Sequence, residues 1–210
     1  MLEIINLEKK YRNKIVLSKF NMKLDSRGII FFLGRNGAGK TTLFNCIMGF
    51  EAYSGEVVKP KNVAAVLDES HLYSNLNAYD NIILLVRRDL EHDERELLLK
   101  YIDDSVLRRK VRSYSLGQKK ILSILIAMFT NPEMLILDEV SNGLDYEAGK
   151  QVKNLLVSCK KDMLILVCGH QFDFYNRILD EVFVINDAEL IHVDRNEFID
   201  LESVYEKYVG

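Results

Sequence analysis

The sequence predicts an α/β fold with a buried parallel sheet, interrupted by a helical segment, and three observations lead there. The run IIFFL, Ile29 to Leu33, is apolar at every position, as a strand covered on both faces must be, and it leads into the glycine-rich GRNGAGKTT. After Pro132, three further runs, MLILDE, DMLILVC and EVFVI, alternate with segments of helical pattern. Between these regions, from about Leu72 to Asn131, strand signal nearly disappears.

Taken in order, Leu2–Leu7 and Ile15–Leu24 carry strand-like patterns, and Gly28 turns the chain into IIFFL. LFNCIMGF continues as a short helix stopped near Gly49. Short strands fit Glu56–Val58 and Val63–Leu67, with Pro60 in the turn between them. LNAYDNIILLV, LEHDERELLLKYI and SLGQKKILSILIAMF read as helices, the first capped by Asn77 with Asp80 in its first turn. The expected organisation is one domain over residues 1–210, with a core of 1–71 and 132–210 and a helical subdomain of about 72–131.

Bulk properties exclude several classes. A chain of 210 residues, 48% hydrophobic and 28% charged, has ordinary globular composition, which argues against extensive disorder. A net charge of -3 provides no electrostatic footprint for nucleic acid. Cys46, Cys159 and Cys168 share no CxxC-type spacing, which fits a reducing compartment and packing as small hydrophobes. No segment approaches the roughly 20 apolar residues of a spanning helix, and MLEIINLEKKYR lacks the apolar core of a signal peptide. Any membrane role is therefore expected to come through a partner, without direct insertion.

GRNGAGKT, Gly34 to Thr41, matches the phosphate-binding loop G-x-x-x-x-G-K-[ST] in the required strand–loop–helix setting. Glycines let successive backbone N–H groups turn inward around phosphate oxygens, and the following helix adds its positive end. Lys40 supplies a point charge to the β- and γ-phosphates, and Thr41 offers a hydroxyl to Mg²⁺. In MLILDE, an apolar strand ending in two carboxylates puts Asp138 at the sheet's carboxyl edge, placed to hold Mg²⁺ through water. Glu139 then stands as the general base that polarises an attacking water.

With these motifs in place the whole chain resembles the ATP-binding-cassette ATPases, the nucleotide-binding subunits of ABC transporters. GRNGAGKTT is similar to Walker A, LILDE to Walker B, and YSLGQ, Tyr114 to Gln118, resembles a variant of the LSGGQ signature. SNGLD, Ser141 to Asp145, resembles the D-loop, and His170 in LVCGHQ the switch histidine. Tyr11, in KKYRNKIVLS, matches the aromatic residue that stacks on adenine. The resemblance implies a P-loop NTPase (RecA-like) core with an N-terminal antiparallel β subdomain and an inserted helical subdomain. It implies ATP and Mg²⁺ as cofactors. Gly34, Asn36, Gly37, Ala38, Gly39, Lys40, Thr41 and Thr42 would hold the nucleotide; Thr41, Asp138 and Asp68 would serve the metal; Glu139 and His170 would be catalytic.

In such proteins two subunits pack head to tail, with ATP held between Walker A of one and the signature of the other. Ser115, Gly117 and Gln118 would thus form a clamp on the partner's nucleotide. The expected partners are a second ATP-binding subunit, homo- or heteromeric, and a separate transmembrane subunit, with the protein cytoplasmic and peripheral at the inner face of the cell membrane. SYSLGQKK and LDESHLYSNLNAYDNI look most like single-cassette exporter subunits; the competing reading is a soluble cassette ATPase of cluster assembly, ribosomes or DNA.

The chain departs from the family pattern twice. Leu116 stands where the signature has its first glycine, restricting close backbone approach there. In VLDESHLY an acid, Asp68 by counting back from LYSNL, with Glu69 as the adjacent choice, stands where the family usually has glutamine. The added negative charge near the phosphates predicts stronger Mg²⁺ dependence. Arg108, Arg109, Lys110, Arg112, Lys119 and Lys120, with no acid among them, read as a solvated face.

Overall fold

The computed structural model describes residues 1–25, 27–67 and 71–210. Its strands are β1 (Leu2–Tyr11), β2 (Lys14–Leu24), β3 (Gly28–Leu33), β4 (Ser54–Val58), β5 (Val63–Val66), β6 (Met134–Asp138), β7 (Leu164–Cys168), β8 (Glu181–Asn186) and β9 (Glu189–Val193). Its helices are α1 (Lys40–Met48), α2 (Ala78–Val86), α3 (His92–Tyr101), α4 (Asp104–Leu107), α5 (Leu116–Phe129), α6 (Tyr146–Cys159), α7 (Phe172–Tyr175) and α8 (Leu201–Tyr208).

The central sheet has the order β5-β6-β7-β3-β8-β9; all its pairs are parallel except β8 with β9. A second, antiparallel sheet has the order β2-β1-β4. The apolar run of β3 explains the layering. Its alternate side chains Ile29, Phe31 and Leu33 face one core, shared with Ile82, Leu98, Leu122 and Leu155 from the helices. Ile30 and Phe32 face the other, shared with Leu7, Leu17, Phe44 and Ile47 from the antiparallel sheet and α1. With both faces covered, each of these side chains contributes roughly 1.5–3 kcal/mol of burial, which holds the strand in register.

The N-terminal antiparallel sheet, the α/β core and the helical region between β5 and β6 match the expected architecture. β1 and β2 run further than the sequence pattern suggested, meeting at a tight turn where Arg12 has a φ of 53°. Asn77 caps α2 as expected, its Oδ1 accepting from the Asp80 N–H at 2.9 Å. LEHDERELLLKYI ends its helix at Tyr101, and the chain restarts in the short α4. β9 and α8 were not foreseen: β9 has only one buried residue and α8 two, so their apolar signal is thin.

Parallel pairing decides where the motifs lie. β7 sits between β3 and β6, with Cys168 in register with Phe32 on one side and Asp138 on the other. The segments leaving these three strands, namely the glycine loop, Glu139 and His170, therefore emerge at one carboxyl edge, where open α/β sheets bind ligands.

Candidate active site

The loop from Gly34 to Gly39 needs its glycines for backbone reasons. Gly37 and Gly39 have φ of 77° and 112°, a region L side chains rarely adopt. A Cβ on Gly39 would also lie 3.0 Å from Val16 Cγ1, pushing the loop away from β2. Gly39 caps α1 without a side-chain hydrogen bond, so its first-turn N–H groups have no side-chain acceptor at the cap. Lys40 is buried and braces the loop from within, its Nζ donating to Gly34 O at 2.8 Å and Arg35 O at 3.1 Å. A cleft of about 490 Å³ opens beside the loop, lined in part by Lys14, Ile15, Val16, Asn36, Gly37 and Ala38. Thr42, half-buried, follows in α1.

One turn into the site, Thr41 Oγ1 donates to Asp138 Oδ2 at 2.8 Å. The other carboxylate oxygen, Oδ1, accepts from the Cys168 thiol at 2.7 Å. Burial, reinforced by the Asp138 charge and this hydrogen bond, pushes the Cys168 thiol far above its usual range. It therefore stays an S–H donor, and Cys168, read from sequence as a small hydrophobe, also fixes the orientation of Asp138. The pair joins the hydroxyl of Thr41, an exposed residue, to the buried Asp138 carboxylate, hard oxygen donors that fit Mg²⁺.

Glu139 leaves β6 in the left-handed conformation, φ 55°, which turns its side chain out of the strand's alternation. Its N–H donates to Cys168 O at 3.2 Å. The carboxylate is held at both oxygens: Asn142 Nδ2 donates to Oε2 at 2.8 Å, and His170 Nε2 lies 3.2 Å from Oε1. The backbone is held as well. Lys120 Nζ donates to Glu139 O at 3.1 Å and to Asn142 O at 2.7 Å.

Lys120 corrects the reading of its segment as a solvated face, because it is only 7% exposed. The signal was present: on a helix it shares a face with Gly117, Ile121 and Ile124, all buried. Asn142 lay inside SNGLD without being singled out. A short polar side chain three residues after a carboxylate was the available cue.

The signature residues do not join this group. Ser115 caps α5, its Oγ accepting from the Gln118 N–H at 3.2 Å while Gln118 Oε1 accepts from the Ser115 N–H at 3.0 Å. This reciprocal capping box fixes where the helix starts. Gly117 is buried against α6, and a Cβ there would overlap the Ala148 methyl group. Leu116, 49% exposed, sits over the D-loop, its Cδ2 being 2.7 Å from where a Cβ on Gly143 would be.

Tyr11 is also occupied within its own strand layer. Its hydroxyl donates to Glu51 Oε1 at 2.8 Å, and Lys9 Nζ sits 4.5 Å from its ring centroid. Lys9 in turn pairs with Glu51 at 2.7 Å. Tyr11 is not among the residues lining the cleft, whose β2 wall comes from Lys14, Ile15, Val16 and Ser18. Asp68 and Glu69 lie outside the described residues.

A strand–glycine loop–helix unit beside a Thr–Asp pair and a doubly held glutamate, all on one edge of a parallel sheet, defines a P-loop nucleotide-binding ATPase. The chain belongs to the ABC transporter family, whose model matches residues 17–142, and it is an ATP-binding ATPase subunit of such a transporter. It is 29% identical over 204 residues to the lantibiotic transport ATP-binding protein SrtF of Streptococcus pyogenes, covering 91% of this chain and 89% of that protein. It is 30% identical over 209 residues to the bacitracin transport ATP-binding protein BcrA of Enterococcus faecalis, covering 91% and 68%. Its fold matches an ATP-binding cassette solved as a post-hydrolysis dimer with ADP and Pi, with a TM-score of 0.79, 20% identity, and coverage of 92% and 98%. Among the described residues, no helix is long and apolar enough to cross a membrane.

Proposed function

We propose that this subunit binds MgATP at the Gly34–Thr42 loop and hydrolyses it with Glu139 as general base, and that the cycle drives export of a peptide-like antibiotic. The Thr41–Asp138 hydrogen bond, on the same sheet edge as the Glu139–His170 contact, carries the reading. Lys40, now bonded to loop carbonyls, would turn its ammonium to the β- and γ-phosphates; the loop N–H groups would take the remaining oxygens. Thr41 and Asp138 would hold Mg²⁺, which when bound offsets phosphate charge. Glu139 takes a proton from the attacking water as the bond to the γ-phosphorus forms and the bond to the leaving ADP oxygen breaks. Asn142 would keep the carboxylate aimed, and His170, beside Glu139, would meet the γ-phosphate.

The dimer follows from the same chemistry. The solved relative above is dimeric, and here Ser115 and the Gly117 N–H, at the positive end of α5, would cap the partner's γ-phosphate. Closure would pass to a membrane subunit through the groove between β5 and α5, a cavity of about 390 Å³ that includes Ala65, His71, Leu85 and Ile126 in its lining. The antibiotic class rests on the transport functions named for the two relatives.

The test is ATP hydrolysis by wild type and Glu139→Gln, with ATP binding measured in parallel. The expected result is a rate at least a hundredfold lower with binding retained. Equal rates would remove Glu139 from the mechanism. Copurification of a multi-spanning protein from membranes tests the transport assignment, and its absence in every detergent tried would count against it.

A further inference from the structure

We infer that Lys120 is a positioning residue for Glu139, and that it makes the signature helix and the catalytic turn of one subunit a single mechanical unit. The inference rests on Glu139 being the base and adds a residue that acts through it. Three contacts lie on one face of the first turn and a half of α5. Leu116 covers Gly143, Gly117 packs on Ala148, and Lys120 bonds the carbonyls of Glu139 and Asn142. Positions 116 and 120, and 117 and 120, are helical neighbours, so a rigid shift of this part of the helix moves all three contacts together.

The Lys120 contacts fall where the backbone most needs holding. Glu139 is a non-glycine residue at φ 55°, a conformation that persists only when its surroundings enforce it. A buried ammonium bridging the carbonyls of residues 139 and 142 closes that turn through its backbone, while Asn142 holds the carboxylate. Hydrogen bonds to a charged donor are the stronger kind, and here two converge on one nitrogen. Without them the turn loses its closure, and the Glu139 carboxylate loses the angle that brings it to His170 and Asn142. The residues that would clamp the partner's ATP, Ser115 and Gly117, stand less than two turns from Lys120 on the same helix. A displacement of that clamp is therefore delivered to the subunit's own base.

The experiment compares kcat, KM and ATP Kd for wild type, Lys120→Met, Lys120→Arg and Lys120→Gln, each also in a Glu139→Gln background. Lys120→Met is expected to lower kcat at least tenfold with KM and Kd within twofold, and Lys120→Arg to recover most of the rate. In the Glu139→Gln background Lys120→Met is expected to change the residual rate less than twofold, because a group acting through Glu139 has nothing left to act on. If Lys120→Met does not fold, Lys120→Gln, which removes the charge and shortens the reach while keeping an amide NH2, carries the same comparison. Unchanged kcat in Lys120→Met overturns the inference, as does a loss of equal size in both backgrounds. If Glu139→Gln itself leaves the rate unchanged, the base assignment fails instead, a distinguishable result.

Discussion

Gly117 lies in the proposed phosphate clamp, yet the structure explains it without any phosphate. Its φ is not in the left-handed region, so an alanine is strained by space alone, and the space belongs to the Ala148 methyl group of α6. Adding a methyl group to a packed interface costs roughly 1–3 kcal/mol. Overlap between two Cβ atoms on rigid helices belongs at the upper end. Replacing a helical glycine by alanine returns about 1 kcal/mol of propensity, leaving Gly117→Ala about 2 kcal/mol less stable than wild type. For a chain of 210 residues, that corresponds to a fall in Tm of roughly 4–8 °C. Ala148→Gly removes the obstructing methyl group, so the double variant should return to within about 1 kcal/mol of wild type. Urea denaturation of the four proteins gives the coupling energy, which isolates the steric overlap and is expected near the upper end of that range, about 3 kcal/mol. A Gly117→Ala protein as stable as wild type, or coupling below about 0.5 kcal/mol, would refute the steric account. The glycine would then be kept for the ligand.

Two further outcomes follow from other contacts. Cys168→Ser keeps a donor on Asp138 Oδ1, whereas Cys168→Val removes it at similar volume; the valine variant should hydrolyse ATP about tenfold more slowly and need more Mg²⁺, and the serine variant should stay within about twofold. Mg²⁺ titrations of activity that do not separate the two would exclude an orienting role for the thiol. The hydrogen bond from Lys9, and then that from Tyr11, hold the Glu51 carboxyl below its ordinary value of 4.5. Such a group stabilises the fold above the unfolded-chain value and loses that effect as pH falls through the lowered folded value. Glu51→Gln should therefore be less stable than wild type near pH 7, the gap closing as the medium becomes more acidic than the ordinary carboxylate range. A gap that is constant with pH would mean the pair contributes through packing rather than charge.

The fold was legible where its signal is local. IIFFL, MLILD and LILVC are continuous apolar runs because both faces of each strand are covered, and that requirement shows in sequence. The glycine loop was legible for a similar reason: left-handed backbone at Gly37 and Gly39 leaves few residue choices. β9, a hairpin partner of β8, and α8 bury only one and two side chains, so composition did not mark them.

Sequence by itself named the groups proposed for the chemistry: a lysine and a threonine after a glycine loop, two carboxylates at the end of one strand, and a histidine just beyond another. Their order and spacing were enough for the family. Only the tertiary structure decided which groups hold these in place. Cys168 meets Asp138 because β7 and β6 pair in that register. Lys120 meets Glu139 because α5 packs its first turns on the segment leading into α6. Lys120 looked like one more cation in a basic stretch, since its charge masked the helical spacing that sets it on the face of Gly117, Ile121 and Ile124. A lysine far along the chain satisfies two backbone carbonyls only after folding has removed the water that would otherwise satisfy them.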